Sequence, residues 1–152
     1  MIAELKVFLV AMSPIIELRG SLPLALGVYH LPAWSAYFIS VLGNLVPVVF
    51  ILLLLERVSS FLSKHSYHFN RFFAWLFERT RKKHTAKFER WRNMALIVLV
   101  AIPLPFTGAW TGSLCAFLFG IPFKKAFPLI VLGVLVAGAI VSLISLGVIN
   151  FI

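Results

Sequence analysis

Residues 7–28 read V-F-L-V-A-M-S-P-I-I-E-L-R-G-S-L-P-L-A-L-G-V, and the fold turns on how that stretch meets a bilayer. Apart from Glu17 and Arg19 it is uncharged, so its solvent is lipid. Yet Pro14, Gly20 and Pro23 interrupt it. Proline removes a backbone donor and crowds the preceding turn, and glycine weakens a helix interior. One straight crossing of about twenty residues is therefore not expected here. Two short helical arms around a break are.

The whole chain supports a lipid environment. Of its 152 residues, 61% are apolar and 12% charged, with five acidic side chains and no Asp. A soluble domain carries roughly a quarter charged residues. Ten of the fourteen basic residues lie between Arg57 and Arg92, so the net charge of +9 is concentrated rather than spread. A basic block beside long apolar runs reads as the cytoplasmic side of a membrane protein touching anionic lipid, and nucleic acid is not an expected partner. The single Cys115 allows no internal disulfide and reads as a small packing residue. The N-terminus lacks a basic region before its apolar run, so it is read as part of the mature protein and not as a secretory signal.

Working outward, Pro32 divides the next apolar stretch and leaves Trp34–Leu55 as a full crossing. Trp34 and Tyr37 suit the outer interface and Glu56-Arg57 the inner one. Between Arg57 and Arg92 there is no Pro or Gly, and Val58, Phe61, Leu62, His65, Phe69, Phe72, Phe73 and Leu76 recur at helical spacing. That predicts an amphipathic helix, lying in the interface or packed on the protein itself. The tract T-R-K-K-H-T-A-K then links to a second short helix around Phe88 and Trp91. Asn93–Phe123 is uncharged but broken by P-L-P-F-T-G-A-W-T-G, and Ala126–Ile152 is long enough to cross once.

The halves correspond. Pro14, G20-S21-L22, Gly27 and Pro32 precede one crossing; Pro105, G112-S113-L114, Gly120 and Pro122 precede the other. Interrupted segments at matching positions of two halves are a transporter pattern. Two topologies follow. Leu5–Val28 and Met94–Phe119 either cross fully as kinked helices, or enter and return as re-entrant hairpins with tips at Pro14–Gly20 and Pro103–Gly112. The hairpins invert the halves and put Lys124 and Lys125 on the side of the basic segment, which the positive-inside tendency favours. The expected fold is an all-α integral membrane protein. It is an inverted repeat of re-entrant hairpin plus transmembrane helix, with cytoplasmic amphipathic helices between, in one domain: 1–55, 56–93 and 94–152.

Glu17 and Arg19 are the only charges within a membrane-embedded stretch. An ion in hydrocarbon costs several kcal/mol, so such residues face a protein cavity and mark a functional path. Glu17 suits a proton or cation, and Arg19 an anionic head group such as phosphate. A fixed ion pair locking the tip is the structural alternative. Asn44, Thr107, Trp110 and Thr111 complete the candidate path, each with a plainer role in helix fastening or packing. Pro14, Gly20, Pro23, Pro103, Pro105, Gly108 and Gly112 are the candidate hairpin breaks. No metal-ligand spacing, nucleophile elbow or nucleotide motif is present, so no cofactor is expected, enzymatic activity is not, and any transport is secondary or passive.

The stretches E17-L-R-G-S-L-P23 and P103-L-P-F-T-G-A-W-T-G112 resemble the two signatures of the small multidrug export protein family, a distant relation of the DedA/VTT superfamily. The resemblance spans nearly the whole chain. It implies paired re-entrant hairpins, each followed by a spanning helix, in a prokaryotic cytoplasmic membrane. It also implies drug efflux, or proton-dependent transport and flipping of an anionic lipid carrier such as undecaprenyl phosphate. Glu17 and Arg19 match the acidic and basic members of the first hairpin, while the second hairpin departs from DedA in having no charge between Pro103 and Gly112. The expected function is therefore a secondary transporter of small amphipathic molecules or a lipid phosphate, coupled to protons or cations. A non-transporting scaffold binding lipid or a partner through the basic segment is the alternative. Two hairpins and two spans make a thin wall, so a homodimer is expected, with the glycine-rich last helix as a candidate contact.

Overall fold

The computed structural model describes residues 1–81 and 86–152, and within them the chain is helical with no strand. Helix α1 spans Ile2–Met12 and α2 Glu17–Pro23, continued by a π-helical turn at Leu24–Val28. Helix α3 spans Ala33–His65, α4 Tyr67–Arg81, α5 Ala86–Ala101, α6 Ala109–Leu118 and α7 Phe123–Phe151. The order short helix, break, short helix, long apolar helix occurs twice, as α1–α2–α3 and as α5–α6–α7.

Prolines set three of these boundaries, while Pro47 and Pro128 lie inside α3 and α7. A residue before proline is pushed out of the α region, and Ser13, ahead of Pro14, ends α1 in an extended conformation. Pro32 and Pro122 sit at the N-caps of α3 and α7, where a missing N–H leaves nothing unpaired. Pro23 lies inside a helix, and the turn after it widens: the Tyr29 N–H reaches the Leu24 carbonyl, one residue further back than in an α-helix.

Two helices, α3 and α7, are long and apolar enough to cross a membrane. The expected first crossing lies inside α3, which runs ten residues past Leu55 because nothing in 56–65 breaks it. Two expectations for the basic middle need correction. Its apolar stripe is not one helix, since Ser66 (φ −137°, ψ 126°) separates the end of α3 from α4. The segment around Phe88 and Trp91 is no separate helix either, but the beginning of α5. Of the expected linker, residues 82–85 lie outside the described residues.

Two contacts gather the same end of four helices. The Phe123 N–H donates to Glu56 Oε1 at 3.1 Å, so a side chain on α3 caps the N-terminus of α7. Arg92, on α5, donates to the Phe119 carbonyl just past α6 at 3.3 Å. The Lys124–Lys125 pair therefore stands beside Glu56 and the first turns of α5. The core is lined by Val7, Leu18, Leu22, Val48, Leu96, Val100, Ile130 and Val134. Trp34, Phe38, Phe50, Leu54, Leu132 and Leu143 point outward, an apolar exterior that suits lipid.

The small residues of α7 are used inside the chain. A Cβ at Gly133 would lie 2.7 Å from Val100 Cβ, and one at Gly138 2.8 Å from Tyr37 Cε2. Gly133 thus lets α5 approach, and Gly138 seats the ring whose hydroxyl donates to the Leu135 carbonyl at 2.9 Å. These two glycines are not an open surface for a second copy, whereas Gly147 of the same helix meets nothing within 4 Å.

Candidate functional site

The breaks of the two halves meet at Glu17 and Gly108, which are buried, while Ile15 and Phe106 beside them are exposed. Glu17 opens α2, and its backbone has φ +49°, a left-handed conformation that side-chain-bearing residues seldom adopt. Residues two apart on a regular helix face apart. The left-handed turn at Glu17 removes that restriction, and Arg19 Nη2 stands 3.7 Å from Glu17 Oε2. Glu17 is 5% exposed, while the Arg19 side chain is only partly buried, with 25% exposed.

What completes the pair comes from the other half, and it is main chain. The Trp110 N–H donates to Glu17 Oε1 at 3.4 Å, and the Ala109 N–H is directed at the same carboxylate. These are the first amides of α6, so Glu17 caps that helix from across the molecule, where the helix dipole favours a negative charge. Arg19 donates to the Thr107 carbonyl in the same break. In return, the Trp110 indole N–H donates to the Met12 carbonyl at 3.3 Å, filling an acceptor freed at the end of α1.

Gly108 makes the fit possible. At φ 138° and ψ −163° its backbone occupies a region open essentially to glycine alone, and a Cβ there would sit on the Glu17 carboxylate. Gly108 was foreseeable as a break; its role as clearance for Glu17 was not. Thr107 and Thr111 take the plainer of their two expected roles. The Thr107 hydroxyl serves the Ile102 and Leu104 carbonyls, each at 2.8 Å, and Thr111 the Phe106 carbonyl at 2.8 Å, so both fasten the break. Pro14 lies in the first break and Pro103 and Pro105 in the second, while Gly20, Pro23 and Gly112 fall within short helices beside them.

Asn44 makes no hydrogen bond to the pair. It is 3% exposed on α3, and among the described residues its Oδ1 has no hydrogen-bond partner, nor has the Oγ of Ser40 one turn earlier. Sequence reasoning missed Ser40, the Ala109 amide and the capping role of Glu56. His65 is exposed, stacks on Phe61 and faces its carbonyl. His68 is exposed beside Tyr67, and His84 lies outside the described residues.

The family model described as "Putative small multi-drug export protein" matches residues 17–140. No curated protein and no solved structure matches the chain. The match covers most of the sequence, and the chain belongs to that family. With two apolar helices of spanning length, family membership marks it as a membrane protein.

Proposed function

We propose that this member of the small multi-drug export family is a secondary transporter whose path runs where its two breaks meet. The observation that carries the reading is the Glu17–Arg19 pair, its carboxylate buried and held at that junction by the first amides of α6 and its guanidinium partly exposed. Charge placed in an apolar interior is costly and marks ion or substrate routes.

In this reading, segments 5–28 and 94–119 are re-entrant hairpins of opposite orientation, and α3 and α7 are the spans that follow them. The Arg92–Phe119 contact, which brings both ends of the second segment together, supports it. So does the Glu56–Phe123 contact, which puts Lys124 and Lys125 on the side of the basic segment. By the positive-inside tendency that side is the cytoplasm, and the membrane is the cytoplasmic membrane of a prokaryote. The distant DedA relationship belongs to the same reading. Because the walls are thin, the working unit is a homodimer, joined elsewhere than at Gly133 and Gly138.

Glu17 is the coupling group. A proton or cation on its carboxylate cancels the charge that holds Arg19 and the α6 amides. The two halves then lose the carboxylate's part of their tie, and Arg19, left with the Thr107 carbonyl, can exchange that neutral acceptor for an anionic group. Binding at one site thereby shifts the balance between two arrangements. The substrate class is a small amphipathic molecule, or an anionic lipid carrier that Arg19 recognises through its phosphate. The test is flux into proteoliposomes under an imposed proton or cation gradient. Glu17→Gln keeps the side-chain volume and is expected to abolish gradient-driven flux while the protein stays folded. Unchanged coupled flux in that variant would remove Glu17 from the mechanism.

A further inference from the structure

Helix α4 carries a row of aromatic side chains that the described residues leave half exposed. Phe69, Phe72 and Trp75 are each about half exposed, at 47%, 54% and 54%. They follow one another at three-residue steps, so they share one side of the helix. Phe72 and Trp75 approach with ring centroids 6.5 Å apart, and the Arg79 guanidinium lies over the Trp75 ring at 5.4 Å. Arg71 is exposed on the same helix. Phe73 makes a separate contact, edge-on to Phe117 near the end of α6 with centroids 6.2 Å apart, which holds α4 against the bundle.

Position settles which partner suits that face. Helix α4 follows directly on α3, a helix long and apolar enough to span, and stands at the end where Glu56, Lys124 and Lys125 gather. Aromatic rings prefer the boundary between acyl chains and head groups, and neighbouring arginines find phosphates there. The basic block between Arg57 and Arg92 is complementary to an anionic leaflet.

We propose that α4 is a docking helix for the anionic lipid surface on the basic side of the membrane. Phe69, Phe72 and Trp75 enter the head-group boundary and Arg71 and Arg79 hold lipid phosphates. Through Phe73 and Phe117 the docked helix also braces the end of α6 opposite to the Glu17 junction. This inference does not depend on the transport reading.

The test uses the full chain with Cys115→Ser and Phe72→Cys, labelled with an environment-sensitive fluorophore. It is reconstituted in phosphatidylcholine vesicles with or without phosphatidylglycerol. With phosphatidylglycerol the label is expected to shift to the blue and resist an aqueous quencher, and high salt should reverse both effects. Replacing Arg71 and Arg79 by Gln, both surface changes, should lower the docked-to-free ratio by roughly thirtyfold, about fivefold per arginine. A label equally shielded, or equally wet, in both lipids would overturn the proposal. So would shielding that fades as protein is diluted in lipid, since the occupant would then be a second copy.

Discussion

Replacing Gly108 by alanine tests the geometry of the junction most directly. The new methyl group meets the Glu17 carboxylate, and the backbone at φ 138° and ψ −163° becomes strained for any side chain. A Gly-only conformation costs of order 1–3 kcal/mol when another residue is forced into it. Driving the carboxylate off the Ala109 and Trp110 amides forfeits a hydrogen bond to a charged group, about 1.5–3 kcal/mol. Together the loss is about 2.5–6 kcal/mol. Gly27→Ala is the control, because a Cβ there meets nothing within 4 Å, and its effect should stay within about 1 kcal/mol. Stability is read by denaturant unfolding in detergent micelles, for Gly108→Ala, Glu17→Ala and the double variant. With the carboxylate gone the methyl group has room, so the double variant should be less destabilised than the two singles added together, by roughly 1.5–3 kcal/mol. Strict additivity, or a Gly108→Ala protein no less stable than Gly27→Ala, would refute the packing of Glu17 against Gly108.

Two further outcomes follow from the fold. On a Cys115→Ser background, a cysteine at position 124 should react with an impermeant reagent from the same side of the membrane as one at position 64, and from the side opposite to one at position 30. Labelling from the position-30 side would favour kinked full crossings over hairpins. Gly133→Val should cost about 2–4 kcal/mol by wedging α5 from α7, because the added atoms meet Val100 and the Ile97 carbonyl. Gly147→Ala, with nothing nearby, should be close to neutral in the same unfolding measurement.

How far the sequence discloses this arrangement depends on which chemistry writes it. Prolines act on their own backbone and on the residue before them, so Pro14, Pro32 and Pro122 mark helix boundaries wherever the chain goes. Ser66 is different. Nothing local forbids a helix there, and the stripe from Val58 to Leu76 reads through it, so the break between α3 and α4 comes from tertiary context. Glu17 and Arg19 announce themselves as charges in an oily stretch. Their meeting requires a left-handed residue at position 17, which no composition reveals. Their counterpart is harder still: a search for complementary side chains in the second break finds none, because the counterpart is two N–H groups and a carbonyl. Gly133 and Gly138 of α7 signal close approach without saying to what, and the partners are the protein's own Val100 and Tyr37, whereas Gly147 meets nothing within 4 Å.

Because the second half answers Glu17 and Arg19 with main chain, the two halves tolerate change unequally. For the tie itself positions 107, 109 and 110 have latitude, since any residue but proline carries the N–H or carbonyl it uses; the Thr107 hydroxyl, the Trp110 indole and the buried Ala109 are held by other contacts. Positions 17, 19 and 108 have no such latitude. At this junction the first half contributes charge and the second contributes clearance, so a change of charge is felt on one side of the seam and a change of bulk at Gly108 on the other.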